Sequence, residues 1–307
     1  MSADDLEEAV EAADMCCASC GIAEVDDIKL TKCNACDLVR YCSDNCQQEH
    51  LPKHAAICKK RAAELRDEIL FKQPESTHDG DCPICLLPLP IDTDKSSIST
   101  CCCKLICNGC IYANTLRNLE ENRIEYPCLF CRQPLPKTEE EAHLNKMKRV
   151  AANDPMALQE MGKTHANEGD YDTAFKYWTK AAELGDAAAH YLLSILYFKG
   201  QGVDEDEKKL TYHLEEAAIA GHPIARYNLA CYEGGNNRID RAVKHLVIAA
   251  NLGFDNSIKN LREHYTNGEV SKEDFAAALR AHHAAVDATK SPQREKAQEE
   301  MIRRAEA

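Results

Sequence analysis

Two clusters of cysteine and histidine carry the chemistry available to this 307-residue chain. The first runs Cys17-x2-Cys20, twelve residues, Cys33-x2-Cys36, five residues, Cys42-x3-Cys46, seven residues, then His54-x3-Cys58. The second runs Cys82-x2-Cys85, fifteen residues, the triplet Cys101-Cys102-Cys103, Cys107-x2-Cys110, seventeen residues, then Cys128-x2-Cys131. Thiolate and imidazole are the donors that zinc takes four at a time at about 2.0 to 2.3 Å, and paired knuckles supply them without a large apolar core. Each cluster offers eight ligands, enough for two tetrahedral ions. In the second, three knuckles and two members of the triplet make up the set; Cys101 and Cys102 are assigned, while spacing does not decide which two of Cys101, Cys102 and Cys103 bind. Cys16 abuts Cys17, but only Cys17 makes the two-residue gap to Cys20, so Cys16 is a bystander. With all four positions on each ion filled by protein, none is left for a catalytic water, and the zincs are expected to be structural.

Of the 18 cysteines, 17 lie between Cys16 and Cys131. In a secreted chain that density would mean disulfides, but Met1 to Asp14 is acidic, with no basic stretch followed by an apolar one. Metal thiolates in a cytoplasmic or nuclear protein are therefore expected. No run of 18 apolar residues suggests a membrane span. A net charge of -14 argues against direct nucleic-acid binding, which rests on clustered Lys and Arg.

The first cluster resembles the MYND family, including Tyr41 before Cys42, Gln47 after Cys46 and the closing His54 to Cys58. The resemblance implies interleaved ligands: Cys17, Cys20, Cys42 and Cys46 on one zinc, Cys33, Cys36, His54 and Cys58 on the other. It also implies a module that takes proline-containing peptides, with Gln47 and Leu51 at the partner surface. Where the family commonly places a groove-lining Trp, this chain has Leu51.

The second cluster resembles a RING domain over about 50 residues. There the first and third knuckles share one zinc, and the middle pair shares the other with the last knuckle. RING domains recruit a ubiquitin-conjugating enzyme and activate its thioester without a nucleophile of their own. Ile84 between the first two ligands, Arg132 after Cys131 and Pro134 stand where that surface would be. An Arg suits the task because its planar fork donates to two carbonyls at once. Two departures are visible: Lys104 stands where a RING has its ligand His, and Pro127 precedes Cys128 instead of following it.

These modules need little beyond metal to position them, whereas the second half of the chain is repetitive. Trp178-x2-Ala181-Ala182-x2-Gly185 recurs as Leu214-x2-Ala217-Ala218-x2-Gly221 and Leu246-x2-Ala249-Ala250-x2-Gly253, at periods of 36 and 32 residues. Each period is two helices and two turns. Ala pairs let helices approach, and Gly ends a helix in the left-handed conformation. With the turn Gly200-x-Gly202-Val203, the pattern resembles the Sel1-like repeat, a relative of the tetratricopeptide repeat, which implies a solenoid that holds protein partners. Three repeats are clear, and a degenerate fourth runs from about Phe254 to Val286. Tyr177, His213 and His245 share one repeat position and read as packing residues.

The expected fold class is mainly α: two small zinc-stabilised cross-brace modules followed by a helical solenoid. The boundaries are an acidic tail (1–15), the MYND-type finger (16–58), a helix and linker (59–80), the RING-like module (81–136), a connecting helix (137–153), the repeats (154–286) and a charged tail (287–307). No phosphate-binding Gly-rich loop, nucleophile elbow or zinc-protease motif is present, and no catalytic residue is assigned. The leading expectation is a zinc-binding adaptor for protein–protein interactions. Alternatives are a RING-type ubiquitin ligase acting through a conjugating enzyme, and a transcriptional or chromatin cofactor.

Overall fold

The computed structural model describes residues 16–25, 27–122 and 126–305. The acidic segment 1–15 lies outside the described residues. The chain divides into two compact units, 1–72 and 73–307.

In the first unit a two-residue hairpin pairs β1 (Thr31–Lys32) antiparallel with β2 (Arg40–Tyr41), Thr31 opposite Tyr41. The hairpin delivers Cys33 and Cys42 from its two ends. Helix α1 (Asp44–Leu70) follows at once, capped by the Ser43 hydroxyl, which accepts from the Cys46 N–H at 3.3 Å. Only His54, Cys58 and Leu70 are buried on it, and His54 and Cys58 share a face because they lie four residues apart. The last part of the finger and the segment after it, expected as separate segments meeting at residue 58, share one continuous helix running through Pro52. The buried apolar set of this unit's metal-binding part is Tyr41 with the ligands Cys17, Cys33, Cys36 and Cys58. A core made of ligands has no packing to fall back on when metal is absent.

The second unit opens with residues 73–80, which lie on the repeats. The His78 N–H donates to the Gly221 carbonyl at 3.1 Å, and the His78 ring stacks on His222 with centroids 4.2 Å apart. Gly221 has φ +85°, and a Cβ there would meet the Ser76 carbonyl at 2.6 Å, so both conformation and contact call for glycine. The RING-like module then forms from hairpin β3 (Ser96–Ser99) and β4 (Lys104–Cys107), with Ser99 opposite Lys104, and helix α2 (Asn108–Glu120). Helix α3 (Glu139–Ala151), with three glutamates in its first turn and Lys148 and Arg149 in its last, connects the module to the repeats.

The repeats are helix pairs: α4 (Pro155–Asn167) on α5 (Tyr171–Glu183), α6 (Ala187–Lys199) on α7 (Glu207–Ile219), and α8 (Pro223–Gly235) on α9 (Ile239–Asn251). The degenerate fourth pair is α10 (Asp255–Thr266) with α11 (Lys272–Ala288). The repeated alanines 181 and 182, 217 and 218, 249 and 250 are all buried, while Gly185, Gly221 and Gly253 take φ between +85° and +90°. Trp178 anchors the first pair, its indole N–H donating to the Gln159 carbonyl at 3.0 Å. Tyr177, His213 and His245 pack within the repeats: Tyr177 stacks on His165, His213 on Tyr197, and His245 is fully buried.

The charged segment from residue 287, expected as a tail that is either a frayed helix or disordered, forms helix α12 (Pro292–Ala305), which is not frayed but packed on α2 of the RING-like module. Its Ala297 is buried, and Arg294 reaches the loop after Cys85. No described helix is long and apolar enough to cross a membrane.

Candidate metal centres

Among the described residues four tetrads of donor atoms assemble, each with all four atoms within 4.8 Å of one another. They are Cys17, Cys20, Cys42 and Cys46; Cys33, Cys36, His54 and Cys58; Cys82, Cys85, Cys107 and Cys110; and Cys101, Cys102, Cys128 and Cys131. In both modules the first knuckle in sequence joins the third, and the second joins the fourth.

The geometry fits zinc. A tetrahedron with Zn–S bonds of about 2.3 Å has S···S edges of about 3.8 Å. The tetrads give 3.6 Å for Cys20 to Cys42 and for Cys42 to Cys46, and 3.7 Å for Cys33 to Cys58. In the RING-like module the separations are 3.9 Å for Cys82 to Cys110, 3.8 Å for Cys85 to Cys107, 3.8 Å for Cys102 to Cys128 and 3.3 Å for Cys101 to Cys131. All are far longer than the roughly 2.05 Å of a disulfide, and every cysteine is free. His54 brings Nε2 to 3.1 Å from Cys36 Sγ. Its ring stacks on His50, whose Nδ1 lies 3.1 Å from the Tyr41 hydroxyl, so a Tyr41–His50 pair backs the only histidine in any tetrad.

Electrostatics inside the tetrads follow one scheme. Each contains one cysteine that opens a knuckle and is held low. Burial raises Cys17, but N–H groups of Cys20, Cys42 and Ser19 outweigh it and bring it to about 6. Cys82 comes to about 7, burial being outweighed by the Cys107 N–H and then those of Cys85 and Ile84, and Cys128 comes to about 6 through the N–H groups of its own turn; Cys33 is lowered likewise. Partners go the other way: hydrogen bonding to Cys46 and then Cys20 pushes Cys42 up to about 12, and burial followed by Cys33 and Cys36 pushes Cys58 up to about 12. A divalent cation among the sulfurs favours the thiolate form of every cysteine that ligates it.

Cys101 and Cys102 occupy the fourth tetrad and Cys103 does not. Cys103 sits buried at φ +52°, where burial and then the Asp154 charge push its thiol up to about 11. Lys104 is exposed, its ammonium 5.9 Å from the Phe130 ring centroid, so it takes no ligand position. Cys16 bridges Ala23 through its backbone, outside any tetrad.

Of the residues assigned to partner surfaces, Leu51 is exposed on α1 and Gln47 half-buried one turn earlier. Ile84 is 38% exposed, and Arg132 is exposed at φ +63°, directly after its ligand. Arg294 and Gly109 carry no sequence signal that ties them to a metal site, yet the Arg294 guanidinium lies 3.4 Å from Cys85 Sγ while its backbone and Cγ lie against Gly109.

A family model for the MYND finger matches residues 17–58, and the Sel1 repeat model matches residues 158–186, 187–222 and 223–254. Residues 17–58 are a MYND finger, and residues 158–254 are Sel1 repeats. The Sel1 boundaries fall on the helix pairs: the match 187–222 spans α6 and α7, and 223–254 spans α8 and α9. No curated protein matches the chain. Among solved structures, a Sel1 repeat protein from Oxalobacter formigenes is 28% identical over 39% of this chain and 97% of its own, with a TM-score of 0.37. The protective antigen c5321 of uropathogenic Escherichia coli strains, described as displaying an SLR fold, is 19% identical over 54% of this chain and 37% of its own, with a TM-score of 0.38. MamA is 20% identical over 48% of this chain and 87% of its own, with a TM-score of 0.32.

Proposed function

We propose that this protein is a zinc-stabilised adaptor that holds one protein partner through its MYND finger and another through its Sel1 repeats. The observation that carries the reading is closure: each of the four tetrads supplies all four donors from the chain, leaving no position for water or substrate. The metal then serves architecture, and both recognised module types are protein-interaction modules. Arrays of reduced cysteines in metal geometry suit a cytoplasmic or nuclear compartment.

For the finger we assign a proline-containing peptide, with Leu51 and Gln47 beside it on α1. The test is fluorescence anisotropy of a proline-containing peptide library against zinc-loaded full-length protein. Leu51→Trp, which supplies a flat aromatic face, tightens binding roughly 2- to 10-fold, and Cys42→Ser abolishes it. Binding indifferent to both substitutions contradicts this part of the reading.

A second reading, a RING-type ubiquitin ligase, is favoured by the exposure of Ile84, Leu86 and Phe130 together with Arg132 beside the fourth tetrad. Under it, the wild-type protein discharges ubiquitin from a conjugating enzyme's thioester and Arg132→Ala does so more slowly. Silence of the wild-type chain across a broad panel of conjugating enzymes removes this reading and leaves the adaptor.

A further inference from the structure

We propose that helix α12 is a metal-dependent clasp on the third tetrad, with Arg294 as the outer-shell partner of its thiolates. The proposal rests on zinc occupying Cys82, Cys85, Cys107 and Cys110. Arg294 spreads its fork over the zinc knuckle: Nη2 donates to Cys85 Sγ at 3.4 Å and to the Leu87 carbonyl at 3.2 Å. Its Nη1 donates to the Pro88 carbonyl at 2.6 Å and to the Thr289 carbonyl at 2.7 Å, the latter just before α12. One side chain thus joins the first knuckle's loop, a thiolate and the end of the repeat array.

The opposite knuckle, Cys107-Asn108-Gly109-Cys110, is at once a ligand pair and the docking floor. A Cβ at Gly109 would lie 2.7 to 2.9 Å from Arg294 Cγ, N and Cα, so the backbone of α12 seats only on a residue without a side chain. Asn108 Nδ2 donates to the Asp94 carbonyl at 2.7 Å and reaches Met301 Sδ at 3.5 Å, two turns further along α12. Ala297, between these contacts, is buried.

Charge links docking to metal. Four thiolates around Zn2+ carry a net charge of -2, and a planar guanidinium donating to one of them offsets it inside a partly dry contact. Without the ion the knuckle loses its enforced shape, and Arg294 loses the fixed sulfur and carbonyls that hold its fork. Linkage is reciprocal: a docked α12 must hold the metal as much as the metal holds α12. Outer-shell partners of metal ligands change metal affinity on the order of 10- to 100-fold when removed.

The experiment is site-resolved cysteine alkylation, read by mass spectrometry, on zinc-loaded full-length protein challenged with a chelator, alongside hydrogen exchange of residues 292–305. In Arg294→Gln the cysteines of the third tetrad become alkylated on the order of 10- to 100-fold faster, α12 loses its exchange protection, and the other three tetrads keep their wild-type rates. Gly109→Ala, which leaves every ligand and Arg294 in place, reproduces both effects. Unchanged rates at the third tetrad in both variants overturn the proposal, as does equal acceleration at all four tetrads, which would mark general destabilisation. If the third tetrad of the wild type already reacts at the metal-free rate, its zinc assignment fails and the clasp with it, while the MYND sites and the adaptor reading stand.

Discussion

Cys17, Cys33, Cys82 and Cys128 each open a knuckle and each have their thiols lowered by backbone N–H groups, those of the turn they begin joined by Cys42 at Cys17 and by Cys107 at Cys82. Ligand spacing was legible in the sequence because two cysteines separated by two residues form a tight turn whose own donors favour a thiolate, a largely local property. The choice between Cys102 and Cys103 was not legible, because adjacent residues differ there only in where the backbone turns, with Cys103 in the left-handed region. Histidine shows the reverse effect in the repeats. Burial, then the charges of Arg226 and Arg241, lowers His245 to about 3, and burial lowers His213 to about 4. Both are depressed below their unfolded values, so their contribution is fully present above about pH 6.5 and is lost as pH falls toward those lower values. Asp186, raised to about 6 by burial, acts in the opposite sense between about 4 and 6 but is outnumbered. Urea denaturation followed by emission of Trp178, the only Trp in the chain, should show the repeats losing stability on acidification from pH 6.5, with His245→Gln flattening the slope. An unchanged slope in that variant contradicts the assignment.

At the scale of elements, periodic signals were readable and single long-range contacts were not. The Ala pairs and glycines of the repeats recur every 32 to 36 residues and mark helix ends wherever they occur. Helix α12 has no such mark: its Lys, Arg, Glu and Gln read as a frayed helix or disorder, and the contact that seats it spans 209 positions. Likewise α1 continues past its last ligand, since nothing after Cys58 breaks a helix until Phe71. Packing between α4 and α5 gives a sharp test. A Cβ at Gly162 would collide with the Trp178 indole, so a good helix former is excluded there for lack of space. Gly162→Ala should destabilise the repeats by about 1 to 3 kcal/mol in urea denaturation and shift Trp178 emission, although helix propensity alone favours Ala. A neutral or stabilising result would show that the helix pair is looser than described.

The whole molecule joins two kinds of stability. The repeats have contiguous apolar cores, one around Trp178, Leu193 and Leu196 and another around Leu246, Ile258 and Leu261. The MYND finger has a core built largely of ligands and the RING-like module one that mixes ligands with Leu89 and Ile106, so their folding is coupled to metal binding, which in small zinc modules is worth roughly 10 to 16 kcal/mol. An adaptor gains from that division, because metal fixes the shape of small recognition surfaces while the solenoid supplies area. The measurement that tests the account most directly is zinc per chain, by native mass spectrometry of freshly purified full-length protein. Four tetrads predict four zincs, falling to three in His54→Ala. A stoichiometry of two in the wild type, confined to the MYND finger, would contradict the account of residues 82–131 as a closed two-zinc module.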